Sequence, residues 1–217
     1  MAFHLPVSLE PPENDEPALK LLRNYYERAG ASLGPFTGAA FDTWDSTGMR
    51  SQDADLFTAD DLVAITFLSV RVGPRAAYLL LHEHRPVFSE LLRKIGPDRD
   101  LVDETETLPE EWPGWTLDKE LMLLPDVGPT IASKLVARKR PRLIPIYDSV
   151  VSNVLGTNQD HWESIRVALR REDRALHNRL LGLKEKAHLP VEVSALRVLD
   201  VIAWMEGKGG DSDSVVA

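Results

Sequence analysis

Cysteine is absent from all 217 positions, which excludes disulfides, thiolate-held zinc and cysteine-held iron–sulfur clusters. No apolar run approaches the ~20 residues that a membrane-spanning helix needs. The N-terminus, MAFHLPVSLEPPENDEP, is acidic and proline-rich and fits neither a signal peptide nor a transit peptide. A soluble, cytoplasmic protein is the expectation. Strand-like sequence is confined to Leu143-Ile144-Pro145-Ile146, where Pro145 argues against a central strand. Phosphate-binding glycine loops, dinucleotide fingerprints and nucleophile elbows are missing. The six histidines are scattered, so neither a catalytic metal nor a cofactor is expected.

Positive charge is also scarce. A net charge of -9 argues against a protein that coats nucleic acid indiscriminately. The deficit is local, however: residues 1–61 carry 11 acids against 4 bases, and residues 98–111 carry 7 against 1. Residues 62–97 carry 5 bases and 2 acids, and residues 112–217 carry 15 and 14. That distribution permits a DNA-facing surface.

What is present is helical periodicity. The pattern predicts an all-α fold with helices over 17–28, 62–72, 74–81, 86–95, 115–124, 129–139, 148–155, 159–170, 173–186 and 190–205. Thr58-Ala-Asp-Asp61 reads as a capping box. Helices 62–72 and 190–205 are apolar nearly all round and should be central. Residues 1–15 and 207–217 are expected to be disordered flanks of a single domain over 16–206. The segment 30–48, with Phe36, Phe41 and Trp44, reads as a packed loop.

The chemistry-bearing stretch is Glu120 to Gly156. Leu124-Pro125-Asp126-Val127-Gly128-Pro129-Thr130-Ile131-Ala132 has the pattern of a helix-hairpin-helix. Gly128 is expected to supply positive φ at the tip, and Pro129 suits the first helical position. The N–H groups of Gly128, Thr130 and Ile131 would then face an anion with the helix dipole behind them. Leu124, Val127, Ala132 and Leu135 would clamp the two helices. Lys134, Arg138, Lys139, Arg140 and Arg142 put five bases into nine residues, a footprint for phosphate or an answer to the helix C-terminus. Arg166, Arg170, Arg171 and Arg174 read as a solvated helix face. Asp148, before Ser-Val-Val, is a helix N-cap by propensity.

Leu-Pro-x-Val-Gly-x-x-x-Ala followed by Ile-Pro-Ile-Tyr-Asp-Ser-Val-Val resembles the helix-hairpin-helix DNA glycosylase superfamily over residues 117–156. The resemblance implies a two-lobed, glycosylase-like core that binds DNA. It also implies that Asp148 is the catalytic carboxylate, stabilising sugar charge or activating water as an N-glycosidic bond breaks. Tyr147 becomes a candidate for the base pocket. Thr130 stands where lyase members keep a lysine, so monofunctional base excision is implied. Asp126 replaces a tip glycine and sets a negative charge near the phosphate. The whole chain also resembles an actinobacterial family of uncharacterised proteins through TADDLVAITFLSVRV, KLVARKRPRLIPIYDSVV and VSALRVLDVIAWM. The residues leave two alternatives open: a non-catalytic nucleic-acid or protein binding module on the same hairpin, and a hydrolase of free nucleosides or nucleotides.

Overall fold

Proline opens most of the helices. It lies at the first or second helical position of α1 (Glu16–Tyr26), α3 (Pro74–Tyr78), α4 (Arg85–Ile95), α5 (Pro113–Met122) and α6 (Pro129–Lys139), where a missing N–H breaks no intrahelical bond. The others are α2 (Ala59–Thr66), α7 (Ser149–Leu155), α8 (His161–Lys186) and α9 (Ala195–Gly207). A π-helical turn, Leu79–Glu83, joins α3 to α4. The structure, a computed structural model, describes residues 3–27, 34–158 and 160–209. Among the described residues there is no strand, and no helix is long and apolar enough to cross a membrane.

The helices pack in two groups. α9 is surrounded by α1, α7 and α8, while α6 packs on α2 and α5, and α5 on α4. In α9, Ala195 through Ala203 are all buried, as its near-continuous apolar pattern predicts. Gly207 lets α7 approach, because a Cβ there would lie 2.4 Å from Cγ1 of Val150. The expectation for 62–72 is only partly met. The capping box is present, with Thr58 N–H donating to Asp61 Oδ2 at 2.8 Å. The helix ends at Thr66, Ser69 turns into the left-handed region at φ 59°, and Val63 is exposed. The two helices expected over 159–186 are two limbs of α8, separated by non-helical backbone at 171–174. Phe36 and Phe41 are buried and Trp44 partly so, which gives the packed loop foreseen over its described part, 34–48.

The N-terminal segment departs from the disordered flank expected over 1–15. Val7–Leu9 forms a 3-10 turn whose Leu9 is fully buried. Glu206 at the end of α9 accepts the N–H groups of Val7 (2.8 Å) and Ser8 (3.0 Å) and the Ser8 hydroxyl (2.8 Å). Arg179 donates to the carbonyls of Leu9 and Pro11, and with Lys186 it pairs Asp15. The tail expected over 207–217 lies, from residue 210 onward, outside the described residues.

Candidate functional site

α5 and α6 form the hairpin. Leu124, Val127, Ala132 and Leu135 are all buried between them, so the clamp positions are as expected. The tip geometry differs. Gly128 has φ -94° and ψ 179°, an extended N-cap, and the left-handed residue is Asp126 at φ 60°. The turn is made two residues earlier than the glycine suggests, and Asp tolerates that conformation better than most residues. Ile131 N–H already bonds Gly128 O at 3.1 Å, so it is not a free donor. The N–H groups of Gly128 and Thr130 have no acceptor among the described residues, and no side chain caps α6. Asp126 and Pro129 at the tip are exposed.

The basic run is an internal brace and not a phosphate-facing patch. Lys134, Arg138, Lys139 and Arg140 are all buried. Arg138 donates to the carbonyls of Phe41 (2.7 Å) and Trp44 and lies 3.5 Å from Asp61. Lys139 pairs Asp61 at 2.6 Å and bonds Asp53 O. Arg140 reaches the carbonyls of Gly96, Ala54 and Leu92 and the Asp55 carboxylate. Burial pulls the Arg138 pKa down to about 10 and lowers that of Lys139. These cations tie α6 to α2, α4 and the 41–55 loop. Of the run only Arg142 is exposed, and it is paired to Asp100. Three of the second arginine set are likewise engaged, and Arg171 is exposed with no such partner among the described residues. Arg166 is buried and bonds Glu104 O and Glu163, Arg170 bonds Val102 O, and Arg174 pairs Asp103.

Asp148 is the N-cap of α7, its Oδ1 accepting Val150 N–H at 2.9 Å. Its Oδ2 lies 3.7 Å from Lys134 Nζ, and the side chain is 20% exposed. Lys134 also donates to Leu68 O at 3.0 Å, and burial lowers its pKa against the opposing pull of Asp148. Tyr147 N–H donates to Ser133 Oγ at 3.1 Å, and the Tyr147 ring stands edge-on to His161. His161 is buried and its pKa is lowered to about 4 by burial. Its Nε2 lies 2.8 Å from Ile146 O, and Thr157 Oγ1 lies 2.8 Å from its Nδ1. The imidazole therefore stays neutral and fixes the Ile146–Asp148 backbone.

Behind Asp148 lies a buried cluster missed at the level of sequence. Arg197 holds Asp42 (3.2 Å) and Asp200, and donates to Tyr25 Oη (2.7 Å) and Gly38 O (3.1 Å). Burial raises the Asp200 pKa to about 6, with the Asp148 charge adding to it. The available signal was a pair of charges three residues apart in an otherwise apolar helix. Two cavities of about 10 Å³ flank Asp200, one lined by Phe41, Ala137 and Ile144 and the other by Val151, Leu155 and His161. Each has room for about one water molecule. Trp112 and Trp162 are buried, and Trp115 stacks on Trp162 at 4.1 Å, so this trio is core. No group of His, Cys, Asp and Glu that could hold a metal occurs among the described residues.

Fold and site together define an all-α protein in which a tight helix–turn–helix hairpin meets an aspartate-capped helix across the Lys134–Asp148 ion pair. By comparison of sequences, the chain belongs to a family of unknown function (DUF6308), whose model matches residues 18–207. No curated protein and no solved structure matches it. The glycosylase resemblance thus has no family match of its own.

Proposed function

We propose that this is a DNA-binding protein that grips a backbone phosphate at the hairpin tip. One observation carries the reading: the N–H groups of Gly128 and Thr130 stand unbonded at the exposed N-terminus of an 11-residue helix. Such donors with a helix dipole behind them suit a phosphate oxygen. The contact is modest, because Asp126 sits beside it and the only exposed member of the basic run, Arg142, is paired to Asp100. Hydrolysis at Asp148 has less support. That carboxylate is already bonded to Val150 N–H and stands 3.7 Å from Lys134, and the two small cavities nearby are far too small for a base. The hairpin therefore acts as a binding element, with Asp148 as cap and ion-pair partner.

Gly128→Asp tests this. A Cβ at 128 meets nothing within 4 Å, and φ -94° suits any residue. Asp is a strong N-cap, so the variant should be more stable than the parent by a few tenths to about 1 kcal/mol. The same carboxylate occupies the phosphate position, so affinity for a labelled 20-base-pair duplex should fall about 10-fold or more in anisotropy titrations at low salt. Unchanged duplex affinity, or no binding by the parent chain at low salt, would sink the proposal.

A further inference from the structure

We infer that the exposed stripe Arg75, Tyr78, His82 and Arg85 is a stacking platform for single-stranded nucleic acid. α3 and the π turn bury Ala76 and Leu80 completely, which turns the opposite side outward. Arg75 and Tyr78 share a face of α3, the ring contact sets His82 beside Tyr78, and Arg85 opens α4 two residues after the π turn. Tyr78 is 57% exposed, and Arg75, His82 and Arg85 are exposed with it. The Tyr78 and His82 rings stack at 5.0 Å with an interplanar angle of 18°. Two large rings held face to face in solvent have an outer face left to offer. The π turn beneath them, Leu79–Glu83, is an irregularity that recurs at functional sites.

The charge distribution favours a polyanion here more than elsewhere. Arg138, Arg140, Arg142, Arg166, Arg174, Arg179 and Arg197 are all engaged internally. Arg71, Arg75 and Arg85 are exposed and have no ion pair or hydrogen bond among the described residues. Residues 70–87 contain these three bases and one acid, Glu83, in a chain of net charge -9. Unpaired cations around stacked rings match a strand whose phosphates follow the arginines while a base stacks on the aromatic pair. A duplex keeps its bases inside, so only an unpaired strand can use that ring face. From Arg75 to His82 the helix advances roughly 10 Å, the length of about three stacked nucleotides. The Lys134 bond to Leu68 O brings the segment leading into this stripe beside Asp148. The inference rests on the reading above for the class of partner alone and uses none of the hairpin's atoms.

The test is anisotropy of a labelled 15-nucleotide thymidine oligomer and of a 15-base-pair duplex against the full chain. The oligomer should bind, and Tyr78→Ala should weaken it about 10-fold with duplex affinity unchanged. The double variant Arg75→Glu/Arg85→Glu should weaken it further and flatten the logarithmic salt slope by about 1.4. All three side chains are exposed, so thermal unfolding should match the parent. Gly128→Asp should lower duplex binding only. An oligomer affinity indifferent to Tyr78→Ala, or no oligomer binding at low salt, overturns the stripe. Oligomer binding lost in Gly128→Asp but retained in Tyr78→Ala places the strand at the hairpin and also overturns it. Tyr78-dependent oligomer binding without any duplex binding leaves the stripe standing and removes the hairpin.

Discussion

Asp118 on α5 has a buried Oδ1 without a hydrogen-bond partner, and burial alone raises its pKa to about 6. The folded chain holds this proton more tightly than the unfolded chain, where the value is near 3.8. Between those values folding takes up a proton, so the Asp118 contribution to stability declines as pH rises and is level above about 6. Asp118→Asn should therefore gain roughly 1–3 kcal/mol at pH 7.5 and almost nothing at pH 4. His161 has the opposite slope across the same range, since its pKa is depressed to about 4, and only the difference between variant and parent isolates Asp118. Urea unfolding at the two pH values measures it, and a gain independent of pH would refute the assignment. At this scale Asp148 was legible as a cap, because the signal is local. Arg138 and Arg140 were misread because the groups that hold them, Phe41 O, Asp61, Ala54 O and Leu92 O, lie 48 to 97 residues away in sequence.

Among the elements, the hairpin was the most legible and its tip the least. Apolar spacing fixed which residues clamp α5 to α6, but Asp126 and not Gly128 takes the left-handed conformation. Glycine at 126 would relieve about 1 kcal/mol of conformational strain and add a similar entropy to the unfolded chain. Asp126→Gly should accordingly leave stability within about 0.5 kcal/mol of the parent. It also removes a negative charge beside the open N–H groups, worth roughly 0.8 kcal/mol at 5 Å in water, so duplex affinity should rise about 4-fold. A weaker duplex complex would argue that Asp126 itself makes the contact. The π turn left no readable trace, because LLLHE has the apolar pattern of an ordinary helix. The break in α8 could be read as a boundary between two charged helices, though not its left-handed run from Glu172 to Arg174.

At the scale of the whole molecule, charge bookkeeping along the chain misled because it cannot see pairing. Four of the five bases in the run after the hairpin are buried, and Arg71, Arg75 and Arg85, which are exposed and unpaired among the described residues, lie in the modestly basic segment 62–97. The N-terminal segment was judged from its acids and prolines, yet Leu9 is completely buried and Glu206 receives three donors from Val7 and Ser8. Deleting residues 1–12 should lower stability by about 3 kcal/mol, from the loss of Leu9 burial and the stranding of Glu206. For a domain of this size that amounts to about 8 °C in melting temperature, measured by scanning calorimetry. An unchanged melting temperature would show that the segment adds nothing.

The clasp between Ser8 and Glu206 also bears on how the chain is made. α1 buries Ala18, Leu19, Leu22 and Tyr25 in a group centred on α9, so two helices about 170 residues apart in the chain pack together. α2, α4, α5 and α6 lie contiguously between them and can assemble while synthesis continues. At about 5–20 residues per second, α1 waits on the order of 10 to 40 seconds for α9, with only the segments around Leu9 and Phe36 to cover its apolar face meanwhile.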